Sequence, residues 1–151
     1  MSATNCVFCK IIRGEIPSHS VYEDDRVLVF LDVGPVSRGH TLVIPKAHAE
    51  RLEGLDPEDA AAIGRVLPRV GRAVLEGSGA SDYNVLQNNG ETAGQAVGHV
   101  HFHVIPRHSG TARDPVDAGS EGLPFAWPAG SLATGEGEQL AAAIRQRMSH
   151  G

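Results

Sequence analysis

The sequence predicts a domain that mixes strands with helices, and three observations carry the expectation. Five short runs rich in β-branched and aromatic residues are separated by turn chemistry. One apolar stripe at helical spacing lies between the third run and the fourth. A last apolar set, Leu140, Ile144 and Met148, closes the chain on a second helical face. At 151 residues the chain is one domain's worth, enough to bury roughly 68–70% of its unfolded surface. The expected division is a single domain over 1–151, with 1–108 as its core and 109–151 as a C-terminal tail holding a short helix.

Ser20 to Tyr22 and Val27 to Leu31, split by Glu23-Asp24-Asp25-Arg26, read as a hairpin. Thr41 to Ile44 is a third strand, which Pro45 must end or confine to an edge because it lacks a ladder N–H. Asp56-Pro57-Glu58-Asp59 starts a helix, with an N-cap acid, a first-turn proline and negative charge at the positive end of the dipole. Ile63, Val66, Leu67, Val70 and Val74 form its stripe. Pro68 should kink or split it, and Gly77-Ser78-Gly79 should stop it. Tyr83 to Gln87 and His99 to Ile105 are the fourth and fifth strands, joined by the polar loop Asn88 to Gly94. Ser109 to Gly137 has no periodicity, and Glu138 to Met148 is the closing helix.

Composition excludes several functions. Thirteen Lys and Arg against eighteen Asp and Glu give a net charge of −5, without the basic cluster that neutralising nucleic-acid phosphates requires, so no nucleic-acid partner is expected. No apolar run is longer than that of Val27 to Leu31, far short of the ~20 residues of a membrane span, so no membrane partner is expected either. The N-terminus lacks a basic segment leading into a signal-length apolar stretch. The expectation is a soluble cytoplasmic protein.

Histidine is the residue type to follow. In His99-Val100-His101-Phe102-His103-Val104-Ile105 the alternation of a strand puts three imidazoles on one face and Val100, Phe102 and Val104 on the other. Three imidazoles in register would repel one another if protonated, which points to function, either metal ligation or nucleophilic and acid–base work. The adjoining Asn88–Val97 loop offers backbone N–H groups, Gly90 and Gly94 for close approach, and the amides of Asn88 and Gln95, a set suited to an anionic phosphate. Cys6-Val7-Phe8-Cys9 reads as a redox pair, as half of a zinc site or as two small buried hydrophobes. The zinc reading, closed by two distant histidines, is favoured because no convincing helix of a βαβ unit follows.

These residues together resemble the histidine triad (HIT) family, in its Hint-like, zinc-bearing bacterial-type branch. The signature His-φ-His-φ-His-φ-φ, with φ apolar, stands complete as His99 to Ile105, and Ala93-Gly94-Gln95-Ala96-Val97 resembles the family's approach to it. Phe30 to Pro35 and Gly39 to Lys46 resemble its nucleotide-binding strands. The resemblance implies an α+β, HIT-like fold with a five-stranded antiparallel sheet, a long helix and a short C-terminal helix, and a homodimer in which two sheets join. It further implies a nucleotide hydrolase or transferase that attacks the α-phosphate of adenosine or other purine nucleoside phosphoramidates, or related phosphate esters, through a nucleotidyl-histidine. His101 would be the nucleophile. His103 would act on the phosphate. Phe30 and Val33 would wall the base of an AMP-type ligand, Asp32 would bind the ribose, and Asn88, Gly94, Gln95 and Ala96 would line the phosphate. One structural zinc per chain would sit on Cys6, Cys9, His48 and His99. Many eukaryotic relatives carry a hydroxyl where Ala96 stands, so leaving-group protonation would fall to His103, water or a backbone group. Two other readings stay open, a dinucleoside polyphosphate hydrolase and a nucleotide-binding interaction module with vestigial activity. The tail suggests a lid, with Phe125 and Trp127 crossing a dimer interface to close the partner's site.

Overall fold

A computed structural model describes residues 3–109 and 130–149. The lid expected around Phe125 and Trp127 lies outside the described residues. Within them the chain forms α1 (Val7–Ile12), β1 (Ser20–Glu23), β2 (Val27–Leu31), β3 (Thr41–Pro45), α2 (Pro57–Ser78), β4 (Asp82–Gln87), β5 (Phe102–Arg107) and α3 (Glu136–Ser149). The strands make one antiparallel sheet in the order β1-β2-β3-β5-β4. This is the five-stranded α+β architecture that the sequence and its resemblance imply.

The two faces of the sheet have separate cores. On one, Val27, Val29, Leu31, Val43 and Val104 meet Ile63, Val66, Val70 and Val74 of α2 and Leu140, Ile144 and Met148 of α3. On the other, Leu28, Phe30, Leu42 and Ile44 meet Cys6, Phe8 and Cys9 around α1. Burial on both sides explains why β2 and β3 are continuous apolar runs with every residue buried. Asp56 caps α2 as expected, its side chain accepting the Glu58 N–H. The helix carries Pro68 through without splitting, so of the two outcomes expected at that proline the split does not occur. The bond the ring removes is offset by packing of the stripe against sheet and α3 on both sides of it. Gly77 serves that packing too: a Cβ there would lie 2.9 Å from the backbone N of Ile144, so the close approach of α3 needs glycine.

A correction concerns the histidine strand, which begins at Phe102 rather than His99. Pro45 ends β3 and has no N–H to extend the ladder. Residues 99–101 therefore run beyond the paired region, held by Val100 N–H donating to the Ala49 carbonyl at 2.8 Å. The alternation still brings all three imidazoles to the α1 side, since His103 is in register with Leu42. No described helix is long and apolar enough to cross a membrane.

Candidate active site

The end of β2, the loop after β4, α1 and the histidine segment enclose a cavity of about 560 Å³. Its wall takes in Phe30, Asp32, Val33, Asn88, Gly94, Ala96, His101 and His103. Val33 is 70% exposed and so forms the rim. Gln95 stands apart from the other candidates. Its amide closes the loop on itself, accepting from Gly90 N–H at 2.6 Å and donating to the carbonyls of Glu50 at 2.6 Å and Val97 at 2.9 Å. Gly94, at φ +91°, turns the chain there in a conformation that disfavours any side chain. Sequence reasoning missed the opposite wall, formed by Val7, Phe8 and Ile11 of α1 with Ile16, Pro17 and Ser18. Its only sequence signal was a few apolar residues beside the cysteines.

The imidazole protons can be assigned from fixed partners. His101 Nδ1–H donates to the His99 carbonyl at 2.7 Å, which leaves Nε2 with its lone pair. A backbone N–H can only donate, so Val36 N–H at 3.0 Å makes Nδ1 of His40 an acceptor and puts the proton on Nε2. That Nε2–H donates to His103 Nδ1 at 2.9 Å, so His103 carries its own proton on Nε2. One acceptor and one donor nitrogen are thereby defined on neighbouring rings whose centroids are 4.9 Å apart. His40, which sequence reasoning passed over as an ordinary histidine before a strand, is what orients His103. The carboxylate of Asp32 lies 3.6 Å from His40 Nε2 and accepts Gly34 N–H at 2.8 Å.

Burial keeps these rings neutral. It lowers His101 below the usual imidazole value, against the pull of its bond to the His99 carbonyl. It takes His40 and His103 to about 3, each helped by neighbouring charges. Folding therefore requires rings that the unfolded chain protonates below about pH 6.5. The unfolded state binds more protons between that value and about 3, so stability is full above pH 6.5 and declines as pH falls, by about 1.4 kcal/mol per pH unit for each such ring. Urea midpoints should hold steady from pH 8 to 7 and drop by pH 5. A flat profile over that range would overturn the assignment.

Cys6, Cys9, His48 and His99 converge at the N-terminal end of α1, their donor atoms all within 4.8 Å of one another. The separations are 3.2 Å between the two Nδ1 atoms, 3.3 Å from Cys9 Sγ to His48 Nδ1, and 3.4 and 3.6 Å from the two sulfurs to His99 Nδ1. A tetrahedral zinc with ordinary bond lengths needs edges of about 3.4 Å between nitrogens and about 3.6 Å between sulfur and nitrogen. His99 Nε2–H donates to the Pro45 carbonyl at 2.8 Å, which turns the lone pair of Nδ1 toward the cluster. The four residues fit a structural metal ion.

A buried, neutral imidazole of fixed tautomer thus stands beside a proton-donating one at the head of a largely apolar cavity. A model of the HIT domain family matches residues 13–110, and the chain belongs to that family. It is 50% identical to the protein hit of Bacillus subtilis over 106 residues, 70% of this chain and 73% of that one. It is 39% identical over 145 residues to the Schizosaccharomyces pombe adenosine 5'-monophosphoramidase hnt1, covering 93% and 99% of the two chains. The crystal structure of a zinc-bound histidine triad family protein from Mycobacterium smegmatis superposes with a TM-score of 0.80 at 33% identity, over 99% of this chain and 96% of that one.

Proposed function

We propose that the protein is a nucleotide hydrolase acting on adenosine or related purine nucleoside phosphoramidates and phosphate esters through a nucleotidyl-histidine. The observation that carries the reading is the His101 tautomer, with Nδ1–H on the His99 carbonyl at 2.7 Å and Nε2 left as the nucleophile. Nε2 attacks the α-phosphorus, the N–P bond forms, and the bond from phosphorus to the leaving group breaks. The leaving amine or alcohol takes a proton from a water molecule held by His103 Nε2–H. Attack by water then breaks the N–P bond and releases the nucleoside monophosphate. The carbonyl of His99 stabilises the imidazolium character that His101 gains, and the His40-oriented donor on His103 holds charge developing on the phosphoryl oxygens. Asp32 holds the ribose, Phe30 and Val33 wall the base, Asn88, Gly94 and Ala96 border the phosphate, and Gln95 keeps that loop in shape. The name of the S. pombe relative supports the phosphoramidate class.

One zinc per chain on Cys6, Cys9, His48 and His99 is part of the proposal, supported by the donor spacing and by the zinc-bound M. smegmatis relative. It would lend rigidity to the base of the site in a cytoplasmic protein whose thiols stay reduced. A homodimer is proposed along β4, an edge of the sheet on which Tyr83 and Val85 are 39% and 49% exposed. The test is intact-mass detection of a nucleotidyl adduct during turnover of a panel of nucleoside phosphoramidates and dinucleoside polyphosphates. Adduct formation with faster turnover of amine leaving groups is expected. Faster turnover of nucleotide leaving groups would favour dinucleoside polyphosphate hydrolysis, and AMP binding without any adduct would leave an interaction module.

A further inference from the structure

Phe8 touches three things at once. Its ring lies edge to face with His101 at a centroid distance of 5.1 Å and with His99 at 5.9 Å, both at 80°. It meets Phe30 in the same manner at 5.7 Å, and it lines the cavity. The side chain between the two cysteines thus bridges a residue of the Cys/His cluster, the nucleophile and the substrate space. We propose that Phe8 is a positioning residue for His101, and that a metal held by Cys6 and Cys9 keeps it in place; this rests on the reading of His101 as nucleophile.

The nucleophile needs such a neighbour. A hydrogen bond from Nδ1 to a single carbonyl sets the tautomer of His101 but leaves its ring plane able to swing about that bond. The direction of the Nε2 lone pair follows the plane. Phe8 and His103 are the rings packed against it, at 5.1 and 4.9 Å, and His103 is itself held by His40. Phe8 is held differently. It rides on α1, six residues long, too short to be stable by its own hydrogen bonds. That helix is fixed by the packing of its apolar side chains and by its cysteines. Cys6 is its N-cap, Sγ accepting Cys9 N–H at 3.4 Å, and both sulfurs belong to the cluster. A bound ion would pin the first turn at two points on either side of Phe8. Without it, the two thiols and the imidazole nitrogens would be joined only by weak thiol–imidazole hydrogen bonds at 3.3–3.6 Å, and the turn would relax with its aromatic ring.

Misalignment of reacting atoms by about 1 Å costs on the order of 10²-fold in rate, whereas apolar contact with a ligand is kept by any similar side chain. Phe8→Leu in the metal-loaded protein should therefore lower kcat by about tenfold or more while KM moves less than about threefold. Metal content should stay at the wild-type level. Imidazole NMR of His101 gives a readout free of substrate. The Nδ1–H resonance should persist in Phe8→Leu, with the ring carbons broadened by motion that the wild type lacks, and chelation of the wild type should produce the same broadening. Chelation of Phe8→Leu should add little to its loss, because the two changes act through one contact. A kcat within twofold of wild type, or sharp His101 ring signals in both Phe8→Leu and the metal-free wild type, would overturn the proposal. Absence of any nucleotidyl adduct in the wild type would instead overturn the reading of His101 as nucleophile, leaving the ring-ordering result to stand or fall alone.

Discussion

Replacing His101 by alanine is expected to lower turnover by at least about 10³-fold and to abolish the nucleotidyl adduct, while AMP binding stays within about tenfold of wild type. The asymmetry follows from where the ligand would be held. The cavity owes most of its wall to Phe30, Leu42, Val97, α1 and the segment around Pro17, with Asp32 and Asn88 as polar points. These contacts are made equally in ground and transition states and survive loss of one imidazole. The N–P bond exists only along the reaction path, so its loss falls on kcat. Asp32→Asn should show the converse, weaker binding with a smaller change in kcat. The nucleophile assignment fails if His101→Ala retains more than a few per cent of wild-type turnover, or if an adduct maps to another histidine.

Much of this site is legible in the sequence, and the parts that are not share one cause. Period-two alternation brought His99, His101 and His103 to one side because strand geometry is local, and the α2 stripe and the Leu140–Ile144–Met148 face were readable for the same reason. What local pattern could not supply was the partner across space. The fifth strand starts three residues late because of Pro45, which lies 54 residues before His99 in the chain. Pro68 reads as a kink or a split, and packing on both sides of it carries α2 through unsplit. His40 looks like an ordinary histidine before a strand until the fold sets it 2.9 Å from His103. Gln95 reads as a ligand amide, whereas its hydrogen bonds run to Gly90, Glu50 and Val97. The cavity's second wall was invisible because apolar residues in a six-residue helix look the same whether they face a core or a ligand.

The largest expected effect on stability is that of metal removal. Chelation should lower the melting temperature by about 8–16 °C, and metal analysis of protein purified without chelator should give one zinc per chain. The magnitude comes from linkage: an ion that binds the folded chain alone, present at a thousandfold its dissociation constant, contributes about 4.1 kcal/mol, and 1 kcal/mol is worth about 2–4 °C in a chain of this length. Here the four residues that would hold the ion come from the N-terminal turn, from the residues after β3 and from the segment before β5. Their release would loosen three parts of the molecule from one another at that point. The loss should stop short of global unfolding, because the core between the sheet and helices α2 and α3 lies on the far side of the sheet and contains none of the four ligands. Far-UV circular dichroism should therefore change little on chelation at room temperature. Burial pushes the Cys9 thiol up to about 11, aided by Cys6 beside it, a cost to ionisation that a divalent cation would have to offset. Both cysteines should resist a thiol reagent in the loaded protein and react after chelation. His48→Ala should reproduce the lower melting temperature without chelator, since His48 would supply one ligand and lies apart from His101 and His103. A metal content well below one equivalent, or a melting temperature within about 2 °C after chelation, would remove the metal from the account of this fold.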